Sequence, residues 1–434
     1  MLDINFIKEN LKILAKVTKD KGFKIDYKQL LKLDDKRRSL IQEIDELRQK
    51  SNANADLLKD PKKRTDKLIN EGKGLKDQLT ALEDELSRIK AEYEEIMLLV
   101  PNVISKDTPI GKDDKDNKEV AKWGEIPKFK FIIKDHLQLG KDLDLVDIDR
   151  GVKVSGFRGY YLKNEGARMH LALMQYAFNK LIAKGFTPFI TPTLIKEEAL
   201  IGSGHFPYGK EEVYQIGNPG KLDSGQEIKD PLFLAGTSEP SLLAYHANET
   251  LKEEDLPLKY CGFSPCYRSE IGSYGKDTKG LYRLHEFMKI EQVLVCQADL
   301  AKGLKYLEEL RGIAEEVLQD LKLPYHVIAV CTGDMGAGKY KMYDLETWMP
   351  SRNAYAETHS DSFLTDWQSR RLNLKYKTKD GETKFAFTLN NTVIASPRIL
   401  IALWENYQKE DGSIIIPEIL RPYMGNQEMI LPKK

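Results

Sequence analysis

The feature that most constrains the fold is a seven-residue spacing of apolar side chains in the first hundred residues. Leu33, Leu40 and Leu47 follow this spacing, and Ile44 lies between two of them. After a break the spacing resumes with two interleaved sets: Leu68, Leu75, Leu82, Ile89 and Ile96, and Leu79, Leu86 and Tyr93. Such a pattern, surrounded by charged residues, is typical of helices that pack along their whole length. It predicts two helices over about residues 27–99.

The break between the two helices predicts a turn, and therefore an antiparallel hairpin. Asn52, Asn54 and Pro61 lie in it and are expected to end one helix and permit the next. With roughly 35 residues per helix, such an arm would extend about 50 Å, at ~1.5 Å per residue. The turn region is basic: Lys59, Lys62, Lys63, Arg64 and Lys67. A basic tip favours contact with a phosphate backbone. The alternatives are that the arm is a dimerising coiled coil and that its basic cluster is only a solvated surface.

Length and composition restrict the class of protein. The 434 residues are enough for two or more domains. Lysine and arginine together number 67, as do aspartate and glutamate, so any polyanion must bind a local patch. No apolar run is long enough for a membrane span, and MLDINFIKEN lacks the apolar core of a secretion signal. The four cysteines show no metal-binding spacing and indicate a reduced, cytoplasmic protein. The polar, charged stretch over 105–119 predicts a linker.

Residues 263–295 predict two strands joined by a charged loop. Glycines punctuate that loop, as a long hairpin requires: Gly272, Gly275 and Gly280. Because strand side chains alternate between faces, a return strand over 281–295 places one set together: Leu281, Arg283, His285, Phe287, Lys289 and Glu291. Arg268 and Glu270 share a face of the outgoing strand. Arginine suits phosphate, a phenylalanine ring can stack on a purine, and carboxylates accept from amines or hydroxyls. An ordinary ladder of ion pairs is the alternative.

Three shorter segments carry polar residues that could bind a ligand or a metal ion. Thr237 and Glu239 follow an apolar strand and can bind an ammonium group, or can equally cap the next helix. Glu357 and Ser360 lie three apart and can share a Mg²⁺ ion, which takes oxygen ligands. Arg398 falls in the first turn of a predicted helix, after a proline, where a phosphate is favoured.

Residues 263–295 resemble motif 2 of the class II aminoacyl-tRNA synthetases, and are most similar to the seryl-tRNA synthetases. Two runs carry this resemblance, Tyr267-Arg268-Ser269-Glu270 and Arg283-Leu284-His285-Glu286-Phe287, with Glu291 beyond them. Residues 184–192 resemble motif 1, which in that family builds a dimer interface. Residues 385–398 resemble motif 3 without its glycines, and residues 357–360 resemble a Glu-Ile-Ser-Ser segment with Thr358 and His359 in the middle.

The resemblance covers nearly the whole chain and implies an α+β fold. It implies an N-terminal antiparallel helical coiled-coil arm over residues 1–104 and a linker over 105–122. An antiparallel-sheet class II catalytic domain would follow over 123–434. In that family the arm grips the long variable arm of tRNA(Ser). Homodimers, ATP with Mg²⁺, and L-serine are the further partners that the resemblance implies.

The activity implied is ATP-dependent formation of seryl-adenylate and transfer of serine to the 3′-terminal adenosine of tRNA(Ser), with tRNA(Sec) as a second candidate acceptor. Arg268 would be catalytic, and Glu357 and Ser360 would hold Mg²⁺. The implied ATP-binding residues are Arg268, Ser269, Glu270, Arg283, Phe287, Glu357, Thr358, His359, Ser360 and Arg398. The implied serine-binding residues are Thr237, Ser238, Glu239, Arg268, Glu291, Asn390 and Thr392. The implied tRNA-binding residues are Lys59, Lys62, Lys63, Arg64 and Lys67.

Two other hypotheses fit the same fold. One is a ligase that loads an amino acid onto a carrier protein, which would not need a basic-tipped arm. The other is a non-catalytic RNA-binding paralogue, which would be expected to lack the ATP ligands. Those residues are present in this sequence, so the enzyme hypothesis is preferred.

Overall fold

The computed structural model describes residues 1–218, 220–221, 223–227, 230–271 and 280–432. Gly272 and Gly275 of the predicted motif 2 loop lie outside these residues. The chain divides into two compact units, Met1–Pro101 and Asn102–Lys434. Within the described residues no helix is both long and apolar enough to cross a membrane.

The first unit is helical throughout. Its helices are α1 Ile4–Glu9, α2 Leu11–Asp20, α3 Tyr27–Leu58 and α4 Asp66–Leu99. The Asp26 side chain accepts from the Gln29 amide at the start of α3, and the Thr65 hydroxyl does the same for Leu68 at the start of α4. Leu33, Leu40 and Ile89 are buried where the two long helices pack together. The predicted antiparallel helical hairpin is confirmed.

The turn of the hairpin is shorter than the sequence predicts. Helix α3 continues through Asn52 and Asn54 and ends at Leu58, so only residues 59–65 connect it to α4. Asn54 is buried, and opposite it stands Gly72, where a Cβ atom would lie 2.8 Å from Asn54 Oδ1. The missing side chain at position 72 gives the asparagine room, so a residue with low helix propensity stays within the helix.

The second unit is built on a sheet whose strand order is β1-β10-β11-β12-β15-β9-β8-β4. Neighbouring strands are antiparallel except β4 and β8, which are parallel. The strands of the unit are β1 Lys118–Trp123, β2 Val146–Asp147, β3 Tyr161–Leu162, β4 Thr187–Ile190, β5 Leu194–Lys196, β6 Leu232–Leu234, β7 Thr250–Lys252, β8 Leu258–Tyr267, β9 Glu286–Cys296, β10 Tyr325–Ala329, β11 Lys341–Met349, β12 Ala354–Thr365, β13 Lys375–Lys377, β14 Thr383–Phe385, β15 Phe387–Ser396, β16 Ile414–Ile415 and β17 Met429–Ile430. The predicted α+β fold with an antiparallel sheet is confirmed.

Helices cover both faces of this sheet. The helices of the unit are α5 His136–Asp142, α6 Ile148–Ser155, α7 Asn164–Ala183, α8 Glu197–Ser203, α9 Glu239–Ala244, α10 Leu300–Asp320, α11 Trp367–Leu372 and α12 Arg398–Asn406. On one face, Phe178 of α7 meets Phe263, and Gln292 and Asn391 donate to the Leu310 carbonyl of α10. On the other face, Gln368 of α11 accepts from Thr388. The second face carries the cavity described below.

The predicted linker over 105–122 differs in the structure. Residues 118–123 form β1, the edge strand that pairs with β10. Earlier in the segment, the Ser105 amide donates to the Tyr340 carbonyl, and the Gly111 amide donates to Thr332 Oγ1. The prediction of a linker is therefore wrong for residues 118–122. Their charged composition reflects an exposed edge strand, because water solvates its side chains.

The motif 2 strands also differ from the prediction at one end. The return strand β9 begins at Glu286 rather than at residue 281. Leu281 is buried, and its amide donates to His136 Nε2, which lies 3.2 Å away. Gly280 has φ +85°, and a Cβ atom there would lie 2.3 Å from the same nitrogen. This contact with α5 replaces strand pairing for residues 280–281.

Candidate active site

A cavity on the sheet face opposite α7 and α10 gathers most of the predicted site residues. Strands β9, β12 and β15 and the turn after β6 supply most of its wall. The predicted residues that line it are Thr237, Glu239, Arg268, Glu270, Arg283, Phe287, Glu291, Glu357, Thr358, His359, Ser360, Asn390, Thr392 and Arg398. Residues from five separate segments thus meet at one place.

One end of the cavity, here called the acidic end, consists of Thr237, Glu239, Glu291, Asn390 and Thr392. The Glu239 Oε1 atom accepts from Asn390 Nδ2 at 2.8 Å, which fixes the carboxylate. Glu291 lies 2.7 Å from the Lys289 ammonium and accepts from Thr392 Oγ1 at 3.2 Å. Burial raises the pKa of Glu291, and the charge of Lys289 offsets only part of that effect. This end can accept hydrogen bonds from a cationic or hydroxylated ligand.

The other end, here called the arginine end, consists of Glu270, Arg283, Phe287, Glu357, Ser360 and Arg398. Arg398 starts α12, and its Nη1 donates to the Glu357 carbonyl oxygen at 3.1 Å. Its guanidinium also lies 4.3 Å from the centre of the Tyr282 ring. Arg283 Nη1 lies 3.2 Å from Glu270 Oε2. Two arginines fixed by carbonyl and carboxylate groups can bind a polyphosphate.

Arg268 connects the two ends. Its Nε donates to the Gly236 carbonyl, 3.4 Å away and adjacent to Thr237. Its guanidinium carbon lies 5.4 Å from the centre of the Phe287 ring. His285 Nδ1 lies 2.9 Å from the Arg268 carbonyl oxygen, so the imidazole donates there and fixes the backbone of the arginine.

An oxygen-rich group suited to a hard cation lies at the arginine end. Ser360 donates to Asp344, a buried carboxylate whose Oδ1 atom has no partner among the described residues. Burial and the charge of Glu357 raise the pKa of Asp344 well above its usual range. Carboxylate and hydroxyl oxygens are the ligands that Mg²⁺ prefers. The residues present therefore fit Mg²⁺, and Asp344 joins Glu357 and Ser360, which were predicted from the sequence.

Two predicted residues do not line the cavity. Ser238 is buried against β8, since a Cβ atom at Gly262 would lie 2.4 Å from its Oγ. It stands at the start of α9 but makes no side-chain cap there. The Ser269 hydroxyl donates to the Glu211 carbonyl at 2.7 Å. For these two residues the structure does not support a side-chain contact with the ligand.

Thr358 and His359 line the cavity, but their side chains bond within the protein. Thr358 Oγ1 lies 2.7 Å from Thr347 Oγ1 and 2.8 Å from His359 Nδ1. His359 Nε2 lies 2.8 Å from the Val393 carbonyl oxygen, so this nitrogen carries a hydrogen and donates. Burial lowers the pKa of His359 to about 4. These departures from the family segment connect β11, β12 and β15, and they leave Glu357 and Ser360 for the ligand.

Several residues of this site were not predicted from the sequence. His205, Tyr282 and Lys339 line the cavity, and Gln368 supports its acidic end from behind. Gln368 Nε2 donates to Glu239 Oε1, which is 129 residues away in the chain. No local pattern indicates such a contact, because it depends on the packing of α11 and α9 against α8.

The basic residues of the arm tip are exposed in the first unit: Lys59, Lys62, Lys63, Arg64 and Lys67. Lys59 lies 2.7 Å from Asp56, and Lys63 lies 3.8 Å from Asp60. The structure thus gathers the five cations at the hairpin turn, and two of them have carboxylate neighbours.

Two family models match the chain. The model for the seryl-tRNA synthetase N-terminal domain matches residues 1–104. The model for the tRNA synthetase class II core domain (G, H, P, S and T) matches residues 221–407.

Relatives match along nearly the whole length. The serine–tRNA ligase of Deinococcus radiodurans is 43% identical over 432 residues, which cover 99% of each chain. That of Treponema denticola is 43% identical, over 98% of this chain and 99% of the relative. Among solved structures, seryl-tRNA synthetase from Pyrococcus horikoshii complexed with ATP has a TM-score of 0.85 and 35% identity, covering 100% of both chains. The cytoplasmic serine–tRNA ligase from Naegleria fowleri in complex with AMP has a TM-score of 0.84 and 29% identity, covering 100% of this chain and 99% of that one. The chain belongs to the seryl-tRNA synthetase family.

Proposed function

We propose that this protein is a serine–tRNA ligase. It activates L-serine with ATP to form seryl-adenylate and pyrophosphate. It then transfers the seryl group to the 3′-terminal adenosine of tRNA(Ser), with tRNA(Sec) as a second acceptor. The observation that carries the proposal is the position of Arg268 between the acidic end and the arginine end of one cavity.

The two ends suit the two substrates. In the acidic end, Thr237 and Glu239 would accept from the serine ammonium group, and Glu291 would accept from its hydroxyl. In the arginine end, Arg283 and Arg398 would bind the phosphates of ATP. Phe287 would stack on adenine and Glu270 would accept from its amino group. Arg268 would hold the serine carboxylate against the α-phosphate and stabilise the charge that develops there.

Recognition of serine over alanine would follow from burial of Glu291. A carboxylate that is removed from water and paired on one side by Lys289 still requires a donor on the other side. Alanine offers none, so its binding would leave a polar atom unsatisfied. Asn390 and Thr392 contribute to serine recognition indirectly. Asn390 holds Glu239 in position, and Thr392 holds Glu291.

Mg²⁺ would be held by Glu357 and Ser360, with Asp344 beside them. When bound with ATP, the ion would neutralise charge on the departing pyrophosphate. Arg398 would neutralise charge on the same phosphates. Its guanidinium lies 3.6 Å from the Glu357 carboxylate, beside the residues that would hold the ion.

The helical arm would bind tRNA(Ser) through its exposed basic tip. A cluster of exposed lysine and arginine contacts phosphates without reading base sequence, which suits recognition of RNA by shape. The chain as a whole has no net charge, so the tip supplies a local attraction.

The functional unit would be a homodimer in the cytoplasm. Apolar side chains are exposed around the edge strand β4 and on α7: Ile190 is 81% exposed and Leu171 is 63% exposed. Exposed apolar side chains on and near an edge strand are typical of a subunit interface. All four cysteines are buried and unpaired in the structure, as in proteins of reducing compartments.

Serine-dependent exchange of labelled pyrophosphate into ATP, without tRNA, tests the activation step. We expect exchange with serine and only background exchange with alanine, threonine or glycine. Exchange driven by another amino acid would refute the serine assignment. Absence of exchange from folded protein with Mg²⁺ would favour the RNA-binding paralogue, although the ATP ligands that such a paralogue would lack line the cavity here.

A further inference from the structure

The acidic end of the cavity contains a histidine that the proposed reaction does not use. His205 follows α8 and lines the cavity together with Thr237 and Glu239. It is half-buried, and the charged groups that act on it are Glu239, Lys339, Arg268 and Lys289. The ring therefore lies where the amino acid would bind, rather than beside the adenine or the outer phosphates.

The hydrogen bonds of Ser203 determine which ring nitrogen of His205 carries the hydrogen. Ser203 Oγ donates its single hydrogen to the Leu200 carbonyl, 3.2 Å away. The same Oγ lies 2.9 Å from His205 Nδ1, so Nδ1 carries a hydrogen and donates to it. Burial lowers the pKa of His205 to about 4, so the ring is neutral near pH 7. Nε2 is then an acceptor.

The two residues assigned above to the ammonium group, Thr237 and Glu239, provide one acceptor fewer than the group requires. An ammonium group has three N–H donors. Glu239 Oε1 already accepts from Gln368 at 2.6 Å and from Asn390 at 2.8 Å, which leaves Oε2 for the ligand. Thr237 supplies a second acceptor in its hydroxyl oxygen. Glu291 is bonded to Lys289 and Thr392 and is assigned to the serine hydroxyl.

We propose that His205 Nε2 accepts the third hydrogen bond of the serine ammonium group and so determines specificity for α-amino acids. This inference rests on the proposed function. A neutral imidazole is required for the role, since an imidazolium would repel the ammonium group. The side chain would contact the substrate directly, together with Thr237 and Glu239, which line the same cavity.

A buried glutamine, Gln368, connects Ser203 to Glu239. Gln368 Nε2 donates both to the Ser203 carbonyl at 2.8 Å and to Glu239 Oε1 at 2.6 Å. Its own Oε1 accepts from Thr388 Oγ1 at 2.6 Å, so every polar atom of this amide is used. One fully buried side chain therefore joins Glu239 to Ser203, the residue whose hydroxyl bonds His205. Gln368 is a positioning residue.

Two substitutions of His205 test the roles of its two ring nitrogens separately. In His205→Asn, the amide nitrogen can still donate to Ser203, but no atom replaces Nε2. In His205→Gln, the longer side chain presents a carbonyl oxygen near the position of Nε2. We expect His205→Asn to raise the KM for serine in pyrophosphate exchange at least about tenfold, the loss of one charge-assisted hydrogen bond. We expect His205→Gln to raise it less than about threefold by the same conversion. The KM for ATP should not change in either variant.

Calorimetry with two inert adenylate analogues, seryl- and alanyl-sulfamoyl-adenosine, identifies the group that His205 contacts. Both analogues have an ammonium group, and only the first has a hydroxyl. His205→Asn should weaken both by the same factor. Weakening of the seryl analogue alone, or of neither, would overturn the inference, provided that thermal unfolding shows the variant to be folded. Wild-type protein without serine-dependent exchange would instead refute the proposed function.

Discussion

Among single residues, Arg268 has the most direct role in the proposed reaction. Its guanidinium is the only predicted catalytic group, and it contacts both Gly236 and the Phe287 ring. A planar group with several donors can hold a carboxylate and a phosphate oxygen at once, whereas an ammonium group acts as a point charge. The geometry of the side chain should therefore matter as much as its charge.

Arg268→Lys should lower the rate of serine-dependent pyrophosphate exchange at least about 100-fold, because a preorganised donor to the developing charge is lost. The matched control is Arg150→Lys, which changes an exposed arginine paired with Asp147 outside the cavity. Both variants should unfold at the temperature of the wild type. Wild-type exchange by Arg268→Lys would contradict the role given to the guanidinium fork.

Residue patterns in the sequence predicted the side chains that line the cavity better than the buried residues that hold those side chains in position. Alternation along one strand put Phe287, Lys289 and Glu291 on one face, and the structure confirms that face as the cavity wall. The resemblance supplied residues on other strands that no local pattern connects. Gln368 and Asp344 could not be predicted, because their neighbours depend on how separate strands and helices pack.

At the scale of elements, the periodic segments were predicted well and the polar ones were not. The heptad spacing gave both arm helices, since one face of each must be buried along its length. Residues 118–122 were predicted as a linker, because an edge strand with one covered side shows little apolar alternation. Asn54 was predicted to end a helix, but it lies within α3, where the missing side chain of Gly72 gives it room.

The edge strand β1 is held in part by a histidine on β10. His326 Nδ1 lies 2.7 Å from Glu119 of β1, and Nε2 lies 2.7 Å from Glu346 of β11. A neutral imidazole has one N–H, so both contacts are hydrogen bonds only when the ring is protonated. Burial lowers the pKa of His326, but the bonds and charges of Glu346 and Glu119 outweigh that effect and raise it overall.

The stability that His326 contributes should therefore depend on pH. Because the folded pKa exceeds the unfolded pKa of about 6.5, the contribution is complete below that pH and is lost as pH rises through the folded pKa. The difference in urea midpoint between the wild type and His326→Gln should shrink as the pH rises from about 6.5 through the folded pKa. A difference that stays constant or grows over this range would contradict the assignment.

At the scale of the whole molecule, the arm and the catalytic unit should be separable by function. Lys62→Glu, Arg64→Glu and Lys67→Glu combined should raise the KM for tRNA at least about tenfold, since three phosphate contacts are lost. Pyrophosphate exchange without tRNA should not change. Lys12→Glu with Lys19→Glu is the control, because these lysines are exposed on α2 away from the hairpin turn. An equal loss in the control would indicate a general charge effect.

The exposed apolar patch predicts the oligomeric state. Ile190→Asp combined with Leu171→Asp should convert a dimer to monomers in light scattering, because two charges would be buried at the interface. Leu300→Asp, at an exposed position at the start of α10, should leave the dimer intact. A wild-type monomer, or a double variant that remains dimeric, would contradict the assignment of this surface.

In the proposed function, the cavity produces seryl-adenylate for a tRNA held by the arm. The most direct test is attachment of labelled serine to a tRNA(Ser) transcript in the presence of ATP and Mg²⁺, with a tRNA(Ala) transcript of equal concentration as the control. We predict that tRNA(Ser) accepts serine and that tRNA(Ala) does not. Serine-dependent pyrophosphate exchange without any transfer to tRNA(Ser) would contradict the claim and would favour a carrier protein as the acceptor.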